Sequence, residues 1–220
     1  QTSGLPGAAR CLAETETTLQ ACAERIAELP LASDASGVPY APGEAFVYGG
    51  TNLQVAAAIA ERVTGTPFAD LVRERYTAPC GAPSFTFGDT DNPRAAGGAA
   101  VTGVDYARLL QMHLRDGLCG ERVLAAASVR EMQRDQTAGA EIVASPYDDG
   151  RRYGLAWWLA PPGAVADEVS DQGAFGATPW IDRDYGFGAF VAIRGRLREG
   201  TEVWDAVRAP LRAAFAACAA

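Results

Sequence analysis

Near residue 150 the apolar pattern of this chain changes period, and that change limits the fold more than any other feature. Upstream, apolar residues recur at helical spacing. Thr17 followed by Gln20 reads as a capping box, which starts a helix at Thr17 or Thr18 with Leu19, Cys22, Ile26 and Leu29 on one face and a stop at Pro30. Thr51 to Thr64 is apolar on nearly all sides, the mark of a buried helix. Gly65 ends it, and Pro67 starts the next, through Leu71 to about Tyr76. Thr102 and Asp105 cap a helix carrying Tyr106, Leu109, Leu110 and Leu114, which Gly117 terminates, and a further helix covers Ala126 to Arg134.

Downstream, Tyr153 to Leu159, Gly173 to Ile181 and Phe187 to Ile193 are rich in aromatic and β-branched residues, as strands are. Asp182 to Gly186 joins the last two as a hairpin. The closing segment aligns Trp204, Val207, Leu211, Ala214, Phe215 and Cys218 on one helical face, with Pro210 expected to kink or split it. A helical region over about 17–135, then a sheet and closing helix over about 150–218, gives an α/β or α+β domain: an antiparallel sheet flanked by helices.

The charge balance excludes two partner classes. With 27 acidic and 19 basic residues the chain carries −8, which argues against nucleic acid and against an anionic membrane surface. No run is long enough to span a bilayer. Every basic residue is arginine; there is no lysine. A guanidinium stays protonated at any working pH, so nothing here can act as a lysine base.

Five cysteines are present, without a C-x-x-C pair and with no cysteine near the single histidine, His113, so neither a metal site nor a cofactor is expected. Cys11 and Cys22 flank a polar stretch that can close as a small disulfide loop if the chain bends between them; the alternative is two unrelated thiols. Such a bridge implies an oxidising compartment, secreted or periplasmic, and the arginine-only, alanine- and glycine-rich usage fits a bacterial source.

Several chemistries lack their motifs. There is no G-x-S-x-G elbow, phosphate-binding loop or dinucleotide fingerprint, and His113 falls inside a predicted helix, where a triad role is improbable. What remains is an ordered series. Thr2-Ser3-Gly4-Leu5-Pro6-Gly7 is followed by Phe46-Val47-Tyr48-Gly49-Gly50-Thr51-Asn52, then Val63-Thr64-Gly65-Thr66-Pro67-Phe68 and Ala78-Pro79-Cys80-Gly81. Gly97-Gly98-Ala99 through Asp105-Tyr106-Ala107-Arg108 and Tyr153-Gly154-Leu155-Ala156-Trp157 complete it. In this order the series resembles the serine β-lactamase and penicillin-binding-protein superfamily, especially its class C-like esterases and peptidases. The matching family blocks read H-T-S-G-L-P, F-x-Y-S-N-x-N, E-x-V-T-G-x-P-F, x-P-L-G-M, G-G-x-x-S-T-x-x-D-x-A-R and Y-G-L-G-W.

The resemblance implies a fold, a reaction and a site. The fold would be β-lactamase/transpeptidase-like with a helical subdomain, and residues 1–220 would be the C-terminal part of one such domain. A serine and a lysine spaced S-x-x-K acylate the substrate in this family. No such pair occurs in the chain, so they are expected on a companion segment N-terminal to it. Tyr48 matches the proton-carrying tyrosine of the second motif. Asp171-Gln172-Gly173 is the counterpart of the third motif and is expected to open the strand before the hairpin, with Ala174 supplying an oxyanion-hole amide.

Two departures bear on the substrate. Gly50 replaces an asparagine that touches a substrate carbonyl, and Asp171 replaces the lysine or histidine that meets a β-lactam carboxylate. The implied substrate is a small ester or amide without that carboxylate. The alternative from another class is a catalytically inactive binding or scaffold module. The bland expectations are that Asp171 is solvated, that Gly173 and Gly176 mark a strand bulge, and that Trp157, Trp158, Phe175 and Trp180 are core.

Overall fold

The computed structural model describes residues 1–165 and 167–219. A 3-10 turn at Arg10–Ala13 precedes helix α1 (Leu19–Ala27), strand β1 (Ala45–Val47) and helix α2 (Thr51–Thr64). Helix α3 (Phe68–Val72) runs into a π turn at Arg73–Thr77, and α4 follows at Gly103–Leu114. A ribbon of β2 (Leu118–Cys119) and β3 (Glu121–Arg122) leads to α5 (Ala126–Met132) and β4 (Glu141–Ala144). Then come β5 (Trp158–Leu159), β6 (Glu168–Ser170), β7 (Thr178–Asp182), β8 (Phe187–Val191) and the long helix α6 (Leu197–Ala219). The residues divide into two compact units: Gln1–Tyr76 with Ser84–Val101 and Thr137–Asp148, and Thr77–Pro83 with Thr102–Gln136 and Asp149–Ala220.

In the first unit α1 packs on α2 through Leu19, Ala57 and Ala58. The Cys11–Cys22 disulfide, with Leu12 and Ile26, fills a second cluster, and the 3-10 turn supplies the bend that the bridge needs. The cap of α1 differs from the expected box: Thr18, not Thr17, accepts from the Ala21 N–H. Gln20 turns away and donates to the Ala58 carbonyl of α2 at 2.8 Å.

Helix α2 is not buried all round. Thr51, Gln54, Ala57 and Ala58 face inward, whereas Ile59 and Val63 are 57% and 80% exposed. At ~100° per residue these two fall on the outer face, and the many alanines had hidden the stripe. Gln54 is buried with its amide fully used, donating to Asn92 Oδ1 and Pro93 O and accepting from the Ala95 N–H. Asn92 in turn donates to the Cys11 and Glu14 carbonyls, so the Asp91-Asn92-Pro93 turn is stitched to the disulfide loop.

The second unit is built on the antiparallel sheet β5-β6-β7-β8. Alternation along β7 sends Ile181 to a cluster with Leu110 of α4, and Trp180 to a cluster with Trp204 of α6. Helices therefore cover both faces, and every residue of β7 is buried. Two of the three expected strands shift, Phe187 to Ile193 stays in place as β8, and one strand was not expected. Tyr153 to Leu159 folds back on itself, Tyr153 bridging Trp158 around the turn where the Gly154 N–H donates to Trp157 O. The strand expected from Gly173 starts at Thr178. Strand β6, Glu-Val-Ser, carries one apolar residue and left no signal in the pattern.

Helix α6 runs unbroken through Pro210, whose ring lies on the exposed side, and the Ala206 carbonyl that loses its helical hydrogen bond there belongs to an exposed residue that water can reach. Beyond Leu211 the expected apolar stripe surfaces: Ala214, Phe215 and Cys218 are exposed. Its polar side carries Arg208 and Arg212 to the sheet. Arg212 donates to Asp182 at 2.6 Å and to Glu168 at 2.7 Å, and Arg208 also donates to Glu168 while stacking over Trp204. Glu168 and Asp182 are direct cross-strand partners, both buried, and the planar guanidinium fork is the group that can hold both. A second disulfide joins Cys80 to Cys119, and Cys218 is a free, exposed thiol. No described helix is long and apolar enough to cross a membrane.

Candidate active site

The residues that the sequence singles out fall in both units. In the first unit, Tyr48 follows β1 directly and Gly50 is the N-cap of α2, so a strand end and a helix start hold the turn between them. The Tyr48 N–H donates to Ala144 O of β4 at 2.9 Å, and the half-buried ring lies 6.4 Å from Phe46. The Thr2-to-Gly7 loop is laid over this turn. Gly50 N–H donates to Gly7 O at 2.9 Å, Thr51 Oγ1 donates to Pro6 O, and Ser3 Oγ donates to Asn52 Oδ1 at 2.6 Å.

Gln1 contributes two further bonds: its carbonyl accepts from Val47 N–H at 3.1 Å and its side-chain Oε1 from Gly49 N–H at 2.8 Å. Neither Gln1 nor Asn52 was a candidate from the sequence, although an amide side chain beside a glycine-rich turn is the signal to seek. Gly50 sits in tight quarters: a Cβ there would come 3.0 Å from Leu12 Cδ1 and 3.4 Å from Ala96 Cβ. The turn thus presents a phenol and no amide side chain at position 50.

In the second unit, Asp171 to Ala174 lies between β6 and β7 rather than opening a strand. The ladder extends into it, with Asp171 N–H donating to Pro179 O at 3.0 Å and Gly173 N–H to Ala177 O at 2.7 Å. Gly173 and Gly176 shape a turn, not a strand bulge: Gly176 N–H returns to Gly173 O at 3.0 Å, and its φ of +93° lies in the region that favours glycine. Gln172 is buried and donates to Ser170 Oγ. Ala174 is exposed, and its N–H makes no hydrogen bond among the described residues.

Two further bland expectations fail. Asp171 is half-buried rather than fully solvated, and burial pushes its carboxyl up to about 6. Trp157, Trp158 and Trp180 are core, but Phe175 is 76% exposed. It belongs to the turn, not to the strand whose alternation would have buried it. His113 lies buried in α4, edge-on to Trp157 at 5.3 Å, and burial, aided by the Arg183 charge, lowers it to about 4.

Comparison with known proteins agrees with this architecture. The sequence profile of the Beta-lactamase family matches residues 1–211. A beta-lactamase candidate from Bacteroides dorei DSM 17855 is 30% identical, with a TM-score of 0.72 over 87% of this chain and 61% of that one. A beta-lactamase from Mycobacterium bovis is 19% identical, with a TM-score of 0.65 over 78% of this chain and 66% of that one. EstCE1, a hydrolase with promiscuous acyltransferase activity, is 15% identical, with a TM-score of 0.66 over 90% of this chain and 60% of that one. The two more distant likenesses speak for the fold alone. The chain spans about 61% of the length of its Bacteroides relative. No curated protein matches it.

Proposed function

The chain belongs to the beta-lactamase family, and on that premise we propose that it is the C-terminal part of a serine hydrolase domain that cleaves an ester or amide through an acyl-serine intermediate. The nucleophilic serine and its lysine, spaced S-x-x-K, are assigned to a companion segment, because this chain has neither that motif nor any lysine. The serine oxygen attacks the carbonyl carbon and its proton is taken up by the base. The leaving alcohol or amine departs with a proton, and water then releases the acid.

Two groups of this chain have roles in those steps. The Tyr48 hydroxyl carries the proton between serine and leaving group, as its place in the second motif implies. The Ala174 N–H stabilises the oxyanion of each tetrahedral intermediate, which an exposed amide with no internal partner suits. The reading rests chiefly on the bracing of the Tyr48 turn: the Gln1-to-Gly7 loop makes several hydrogen bonds to the residues on either side of Tyr48. Gly50 and Asp171 point the substrate class toward molecules without a carboxylate beside the scissile bond. Two disulfides fit an oxidising compartment, and the proposed location is the periplasm or the exterior of a bacterium.

Labelling the full-length gene product with a fluorophosphonate probe and mapping the modified peptide tests this. The expected adduct is on the serine of an S-x-x-K sequence. An intact, folded protein that takes no label would sink the reading and leave the inactive binding module in its place.

A further inference from the structure

Phe175 stands out among the exposed aromatic side chains because the backbone beneath it has so little freedom. Its carbonyl accepts from the Gly195 N–H at 3.0 Å, and the bonds of Gly176 to Gly173 and Gly173 to Ala177 close the turn on either side. Behind the turn, Gly176 lies directly on the start of α6: a Cβ on Gly200 would meet Gly176 O at 2.4 Å. A Cβ on Gly176 would come 2.6 Å from Ile193 Cγ1, so that side is filled as well. A phenyl ring in water is unfavourable, and a stiff turn offers it no path into the core. Such a ring is displayed for something to cover it.

Its neighbour says what. Ala174, one residue upstream, offers the amide assigned above to the substrate's oxyanion, so the ring stands one residue from the held carbonyl. The acyl chain is bonded to that same carbonyl carbon and stays on the enzyme through both half-reactions. Asp171 adds an acidic group to the same connection, which disfavours an anionic acyl chain.

We propose that Phe175 is a specificity-determining residue whose ring forms an apolar wall for the acyl group, selecting uncharged esters and amides with an alkyl or aryl acyl chain longer than acetyl. This rests on the serine hydrolase reading. The ring makes and breaks no bond; it contributes contact that grows with acyl length.

The experiment measures kcat/KM of the full-length gene product and its Phe175→Ala and Phe175→Trp variants on p-nitrophenyl acetate, butyrate and hexanoate. The leaving group is constant, so only the acyl chain varies. Phe175→Ala is expected to lose about 10-fold on hexanoate and less than about 2-fold on acetate, with Phe175→Trp restoring the preference for the long chain. An unchanged acetate-to-hexanoate ratio overturns the inference while leaving the hydrolase reading intact, and so does an equal loss on both. A wild-type protein that neither cleaves these esters nor takes a fluorophosphonate label overturns both. Thermal melts of the variants should match wild type, because the ring is exposed.

Discussion

Gly7 and Gly49 touch backbone to backbone. A Cβ built on Gly49 would meet the Gly7 carbonyl oxygen at 1.9 Å, and one on Gly7 would meet the Tyr48 carbonyl oxygen at 2.7 Å. The serine that the family motif carries after its tyrosine therefore has no room here. Gly49→Ser must push the Gln1-to-Gly7 loop off the Tyr48 turn. The expected cost is about 1–3 kcal/mol, and hence a Tm lower by several degrees in a thermal melt. An unchanged Tm would mean that the loop is free to move aside.

Tyr48→Phe removes one hydroxyl from a half-buried ring. If that hydroxyl carries the catalytic proton, kcat on an ester substrate should fall by about 10²–10⁴-fold while the Tm stays close to wild type. A variant with native kcat would assign the ring to packing alone.

Arg212 is the bond between two carboxylates that face each other across β6 and β7. Arg212→Ala leaves Asp182 buried without its guanidinium and Glu168 with Arg208 alone, an expected loss of about 3–5 kcal/mol in urea unfolding. Arg212→Lys should recover only part of it, because one ammonium cannot fork to both acids.

His113 predicts a pH dependence of stability. Its folded pKa, about 4, lies below the ordinary histidine value, so between about 4 and 6.5 the unfolded chain binds a proton that the native one refuses. The stability from keeping it neutral is whole above the unfolded value and is lost as pH falls through that window, on the order of 3 kcal/mol in all. Unfolding midpoints from pH 7 to pH 4 should show the slope in wild type and a flatter one in His113→Phe.

Asp171 predicts a pH dependence of selectivity. Burial holds its carboxyl near 6, so it is largely neutral at pH 5 and ionised at pH 8. Against a neutral ester of equal size, a carboxylate-bearing ester should show a KM ratio about 10-fold worse at pH 8 than at pH 5. That corresponds to ~1.4 kcal/mol of repulsion. Asp171→Asn should abolish the difference, and a ratio that ignores pH in wild type would remove Asp171 from the substrate's surroundings.

The sequence by itself carried the helix boundaries that depend on local chemistry: the Thr102 cap, the Gly65 stop at φ +68° and the hairpin at Asp182 to Gly186. It also carried the family, through short blocks whose order survives at low identity. It did not carry β6, the exposed face of α2 or the turn that puts Phe175 in water, because each depends on what packs across from it. Nor could spacing reveal that Glu168 and Asp182 share Arg212, or that Gly7 lies on Gly49. Capping and turn chemistry act over a few residues and leave a local imprint. Register, close backbone approach and buried ion pairs join residues far apart in the chain, so only the folded structure decided them.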